Sequence, residues 1–278
     1  MTPDIREERM SQFQTLNAAA IQMVSTPDVA QNLASARRLL AEAAQRGARL
    51  AVLPEYFAIM GARDTDKLAH AEHFGDGPLQ NFLADAARAE GIWLVAGTIP
   101  LASEIPGKAF NSCLVFQPDG QCAGRYDKLH LFGFENGSER YCEADTIAPG
   151  AAPLIIDTPL GRLGVAICYD LRFPELFRLQ EADLWALPAA FTATTGRAHW
   201  EILLRARAIE NQCFVIASGQ GGVHPTGRET FGHSMLIDPW GQILDVLPHG
   251  EGVALAELKA SQLERTRRVL PALAHRRL

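Results

Sequence analysis

Two rhythms of apolar and polar positions run along the chain. Short apolar runs rich in Val, Ile, Leu and Ala recur at residues 18–24, 50–53, 92–98, 112–116, 154–156, 163–168, 184–187, 213–218, 233–237 and 253–257. Several are apolar at successive positions, the pattern of strands covered on both faces. Between them, apolar residues recur at helical spacing. The stretch 28–46 opens after Pro27 on an acidic residue and stops before Gly47, and 78–90 has Pro at its first position and Gly91 just past its end. Residues 173–180 and 198–212 predict two more helices. Helices and strands alternate at both ends, whereas 92–156 reads as strands and turns such as Pro118-Asp119-Gly120 and Pro149-Gly150. The expectation is a layered α/β protein rather than a clean series of βαβ units. With no low-complexity linker and no internal repeat, residues 15–278 are expected to form one domain after a polar tail, 1–14, in which Met10 is a second candidate start.

Composition narrows the function classes. Apolar residues make up 47% and charged residues 21% of the chain, as in water-soluble globular proteins. There are 26 Lys and Arg against 32 Asp and Glu, a net charge of −6 that argues against a nucleic-acid surface. No apolar stretch is long enough for a membrane helix, so no membrane partner is expected. The five cysteines are an odd set without a CxxC pair, and the N-terminus is too charged for a secretory signal; both point to a reduced, cytoplasmic setting. The C-terminal Arg265, Arg267, Arg268, Arg276 and Arg277 form the one basic cluster, read as a solvated or dimer-bridging tail. Arg205, Arg207 and Glu210 read as an ion-paired helix face.

Polar residues at the ends of apolar runs are the candidates for chemistry, because open α/β sheets deliver site residues there. Glu55 ends the run 50–55. Cys168 ends the run 163–168 and is followed by Tyr169-Asp170-Leu171-Arg172 and then a helix. At such a turn a thiol is placed to act as nucleophile, with backbone N–H groups nearby for an oxyanion. Each residue also has a plainer reading: Cys168 as small core filler, Glu55 and Glu143 as solvated carboxylates, Lys128 as half of an exposed pair with Asp127. His130, His199, His224 and His233 lack short metal-ligand spacing with any Cys, and a Cys and His pair of the papain kind stays open.

Four phrases taken together resemble the nitrilase superfamily of carbon–nitrogen hydrolases. They are Leu53-Pro54-Glu55, Tyr126-Asp127-Lys128-Leu129-His130-Leu131-Phe132, the stretch 143–150, and Gly164-Val165-Ala166-Ile167-Cys168-Tyr169-Asp170-Leu171-Arg172-Phe173-Pro174-Glu175-Leu176. The resemblance implies an α/β fold, specifically a four-layer α-β-β-α sandwich, in dimers that often stack further. It implies that Cys168 is the nucleophile, Glu55 the general base, Lys128 with the Tyr169 N–H the oxyanion stabiliser, and Glu143 the residue that orients substrate and Lys128. No metal or organic cofactor is implied, and the partner is a small-molecule amide. Two carboxylates around one ammonium are expected to raise the proton affinity of a carboxylate. Downstream, Pro188-Ala189-Ala190-Phe191-Thr192, Gln220-Gly221-Gly222-Val223-His224-Pro225, Gly227-Arg228 and Gly232-His233-Ser234-Met235 are similar to the branch of deaminated glutathione amidase and ω-amidase, more closely to the former. That implies hydrolysis to 2-oxoglutarate and cysteinylglycine. The alternatives are an ω-amidase for 2-oxoglutaramate or 2-oxosuccinamate, another small-amide hydrolase, or a catalytically silent binding protein. An α-keto acid needs local donors, for which Tyr169, Arg172, Phe191 and Thr192 are the candidate contacts; Arg172 could instead brace Glu175.

Overall fold

The computed structural model describes residues 13–135, 137, 140–179 and 181–277. Most of the expected tail, including Met10, lies outside the described residues. Phe13 falls within that tail by sequence yet is buried, its ring stacked on Phe214 at 5.3 Å between centroids.

Two sheets face each other. The first runs in spatial order Gly252–Leu258, Leu16–Gln22, Leu50–Val52, Trp93–Val95, Ala109–Phe116 and Ile99–Ala102, with Cys122–Asp127 and Ile147–Ala148 also paired to Ala109–Phe116. The second runs Leu154–Thr158, Gly161–Val165, Leu184–Ala189, Phe214–Gly219, Ser234–Ile237 and Ile243–Leu247. Both have parallel centres: Leu16–Gln22 beside Leu50–Val52 in one, Leu184–Ala189 beside Gly161–Val165 and Phe214–Gly219 in the other.

Side-chain alternation along these strands builds two cores. Ala18, Ala20, Leu50 and Val52 point toward the second sheet and join Val165, Leu184, Ala186 and Ile216 in one apolar cluster. Ala19, Ile21, Ala51 and Leu53 point the other way, onto helices α1 (Val29–Gln45) and α2 (Pro78–Glu90). Helices α3 (Pro174–Arg178) and α4 (Ala193–Asn211) cover the outer face of the second sheet, where Phe177 packs on Trp185 at 4.6 Å. The result is the expected four-layer α-β-β-α sandwich.

The helix ends follow side-chain chemistry. Asp28 caps α1 by accepting the Gln31 N–H. Helix α4 begins at Ala193, five residues before the 198 expected from periodicity, because Thr192 accepts the Thr195 N–H as its cap. A fifth helix, α5 (Ala260–Val269), forms where the sequence suggested a basic tail. That tail is not simply solvated: Arg267 pairs with Asp183 at 2.8 Å and donates to the Ala182 and Gln212 carbonyls.

Candidate active site

Loops at one end of the facing sheets bring Glu55, Lys128, Glu143 and Cys168 into a single cavity. Glu55 stands three residues beyond the end of the strand Leu50–Val52, in a bend held by the Gln220 side chain, which donates to the Glu55 carbonyl. The bend is tight. Gly97, at φ +59°, passes so close that a Cβ there would overlap the Pro54 carbonyl oxygen, and Tyr56, at φ +56°, donates its N–H to Thr98 Oγ1. Lys128 follows the strand Cys122–Asp127; its N–H donates to the Asn111 carbonyl and its own carbonyl accepts from Gly150. Cys168 opens a short turn, Cys168–Arg172, at φ +50°, a left-handed conformation unusual for a residue with a side chain.

The charged groups interlock. Lys128 Nζ lies 2.8 Å from Glu55 Oε1 and 2.8 Å from Glu143 Oε2, with all three side chains almost wholly buried. The exposed pairing of Lys128 with Asp127 does not form; Asp127 pairs with Arg125 instead, at 2.9 Å. Asn111 Nδ2 donates to Glu55 Oε1 at 2.8 Å and to Glu143 Oε1 at 3.1 Å. Tyr56 OH donates to Glu143 Oε1 at 2.7 Å, and the Phe132 N–H to Glu143 Oε2 at 2.8 Å. Burial works against the Lys128 ammonium, but Glu143 and Glu55 outweigh it and hold the pKa well above the usual lysine value. Burial likewise opposes the Glu143 charge, yet Lys128, the Phe132 N–H and Tyr56 hold its carboxyl below the ordinary range. The raised carboxylate affinity expected from two acids around one ammonium is therefore reversed at Glu143. The Cys168 thiol is pushed up, first by burial and then by Glu55, against the pull of Lys128 and the Ala190 N–H. Burial and Glu55 both favour the protonated thiol over the thiolate.

Tyr169, Arg172, Phe191 and Thr192 all line the same cavity. Arg172 does not brace Glu175: its guanidinium lies 5.4 Å from the Phe191 ring centroid and 5.7 Å from that of Tyr169, with Nη1 3.3 Å from His199 Nδ1. Thr192 is held by its capping of α4, and Phe191 packs on Trp200 at 4.7 Å.

A family model described as carbon-nitrogen hydrolase matches residues 17–268. The chain belongs to this family. It is 41% identical over 267 residues to deaminated glutathione amidase of Yersinia enterocolitica, covering 94% of this chain and 93% of the relative. It is 43% identical over 267 residues to deaminated glutathione amidase of Synechocystis sp., covering 93% of this chain and 97% of that one. Among solved structures, Nit3 of Saccharomyces cerevisiae, a nitrilase superfamily member, superposes with a TM-score of 0.84 at 32% identity, over 93% of this chain and 95% of that one. This carbon–nitrogen hydrolase is an amide-hydrolysing enzyme.

Sequence reasoning missed several residues of this hydrolase's cavity. Tyr56 and Asn111 tie the two carboxylates together, and Lys67, Tyr141 and Arg228 line the walls. Asn111 lies mid-strand, where nothing local marks it; its proximity to Lys128 comes from the antiparallel pairing of Ala109–Phe116 with Cys122–Asp127. Tyr56 adjoins Glu55, and only its turned backbone brings the hydroxyl to Glu143.

Proposed function

We propose that this carbon–nitrogen hydrolase cuts the side-chain amide of deaminated glutathione, giving 2-oxoglutarate and cysteinylglycine through a Cys168 thioester. The observation that carries the reading is the buried ammonium of Lys128 bridging Glu55 and Glu143 in the cavity that also holds Cys168. Glu55 takes the Cys168 proton as sulfur attacks the amide carbon. The developing oxyanion is held by Lys128 and the Tyr169 N–H. Glu55 returns the proton to the departing amine, and the C–N bond breaks. Glu55 then takes a proton from water, hydroxide adds to the thioester, and collapse releases 2-oxoglutarate and restores the thiol. Glu143, fixed by Tyr56, Asn111 and the Phe132 N–H, holds Lys128 in place.

The names of the relatives and their near full-length identity support the substrate. Comparing kcat/KM for deaminated glutathione and 2-oxoglutaramate tests it: the former is expected to be preferred, and a large preference for the latter would make the enzyme an ω-amidase. Replacing Cys168 by Ala is expected to abolish turnover and the acyl-enzyme mass adduct; retained activity would sink the mechanism.

The same reading includes a homodimer in the cytoplasm. Five free thiols support the reducing compartment. On α4, Ile202 and Ile209 are exposed on one face with Arg205, whose Nε donates to the Gly241 carbonyl beside the exposed Trp240. A second copy of this chain is the occupant that fits this apolar patch with an arginine at its centre.

A further inference from the structure

The cavity carries cations on two walls. Arg172 belongs to the turn that bears Cys168 and lies against Tyr169 and Phe191. Arg228 and Lys67 stand on the wall of Tyr56, Tyr141 and Glu143: the Arg228 guanidinium is 5.3 Å from the Tyr141 ring centroid, and Lys67 Nζ is 5.1 Å from that of Tyr56. Neither makes an ion pair among the described residues. Arg228 Nε is buried without a hydrogen-bond partner, and Nη1 reaches only the Met60 thioether sulfur at 3.8 Å. Burial pushes the Lys67 ammonium down, only partly offset by Asp64 and Glu143. A guanidinium lining a cavity with a buried Nε donor unused is costly until an acceptor meets it.

Arg228 is also held in place. It ends a tight turn in which Gly227 donates to the His224 carbonyl and His224 donates its N–H to the Arg228 carbonyl at 2.8 Å. The buried His224 ring is fixed from both sides, Nδ1 2.8 Å from the Ser25 carbonyl and Nε2 2.8 Å from Thr230 Oγ1.

We propose that Arg228, assisted by Lys67, binds the glycine carboxylate of the leaving cysteinylglycine, a subsite that rests on the deaminated glutathione reading. That substrate carries two carboxylates, one on each side of the scissile amide. The acyl half becomes bonded to Cys168 and so keeps its α-keto acid near Arg172, on the same turn. The leaving dipeptide extends away from Cys168 by up to about 7 Å, toward the part of the lining that Arg228 and Lys67 form with Tyr141 and Tyr56. Substrates whose leaving group is ammonia have nothing to offer Arg228, so this residue selects the dipeptide amide over simple ω-amides.

The test uses three substrates: deaminated glutathione, its C-terminal amide, and 2-oxoglutaramate. Arg228→Gln is expected to lower kcat/KM for deaminated glutathione by about 10- to 100-fold, several times more than for 2-oxoglutaramate, and Arg228→Lys to recover part of the loss. With the unaltered enzyme, the C-terminal amide is expected to be the poorer substrate by a similar factor. Equal losses on all three substrates overturn the subsite. If Arg228→Gln fails to fold, equal kcat/KM for the acid and its amide in the unaltered enzyme overturns it as well. An unaltered enzyme inert toward deaminated glutathione but active on 2-oxoglutaramate overturns the substrate reading, and the subsite with it.

Discussion

At the scale of single residues, the site is governed by how three buried charges compensate one another. Removing one partner of such a set leaves the others uncompensated in a poorly solvating interior. The pH dependence of stability follows with a definite sign. The Glu143 carboxyl is held below its ordinary 4.5, so its contribution is present above that value and is lost as pH falls through the lowered one. The Lys128 ammonium is held above 10.5, so its contribution is complete below that value and is lost only as pH rises past the raised one. The melting temperature is therefore expected to fall on acidification below about pH 4.5, with a shallower fall in Glu143→Gln; identical acid slopes in calorimetry would contradict this account. Glu55, Lys128, Glu143 and Cys168 were legible because each sits in a short phrase whose residue types match a known chemistry, with Glu55 and Cys168 at the ends of apolar runs. Arg228 and Asn111 were not, since what distinguishes them is an unsatisfied Nε in one case and a cross-strand neighbour in the other.

Among elements, the turn Cys168–Arg172 is fastened to the lysine loop by one carboxyl. Asp170 accepts from the Ile167 N–H at 2.8 Å, the His130 N–H at 3.1 Å and Tyr126 OH at 2.7 Å, and lies 2.7 Å from His130 Nδ1. Ile167 belongs to the segment leading into Cys168, while Tyr126 and His130 flank Lys128. Asp170→Ala leaves these buried donors without an acceptor and is expected to cost about 3 kcal/mol, read as a lower urea midpoint with an unchanged slope. A midpoint equal to that of the parent would show that the fastening carries no weight. Periodicity located α1 and α2 nearly to the residue, because their ends carry Asp, Pro and Gly signals. It misplaced the start of α4, where Ala193, Thr194 and Thr195 look like loop until the Thr192 cap is seen. It missed α5, whose polar and charged residues outnumber its apolar ones.

For the whole molecule, the exposed patch joins Ile202 and Ile209 of the outermost helical layer to Trp240 in the turn between Ser234–Ile237 and Ile243–Leu247. Light scattering after gel filtration is expected to give the mass of a dimer, and Ile202→Asp to shift it toward the monomer; a monomer at every concentration would remove the dimer from the proposal. The layered fold has one more consequence. Glu55 and Lys128 are delivered by the first sheet and Cys168 by the second. A nascent or partly unfolded chain in which the sheets have not yet met carries an ordinary thiol in one half and ordinary carboxylates in the other. Under the proposed mechanism, a chain whose sheets have not met keeps the thiol apart from its base and has no hydrolytic power, so activity and the closure of the inter-sheet core come together.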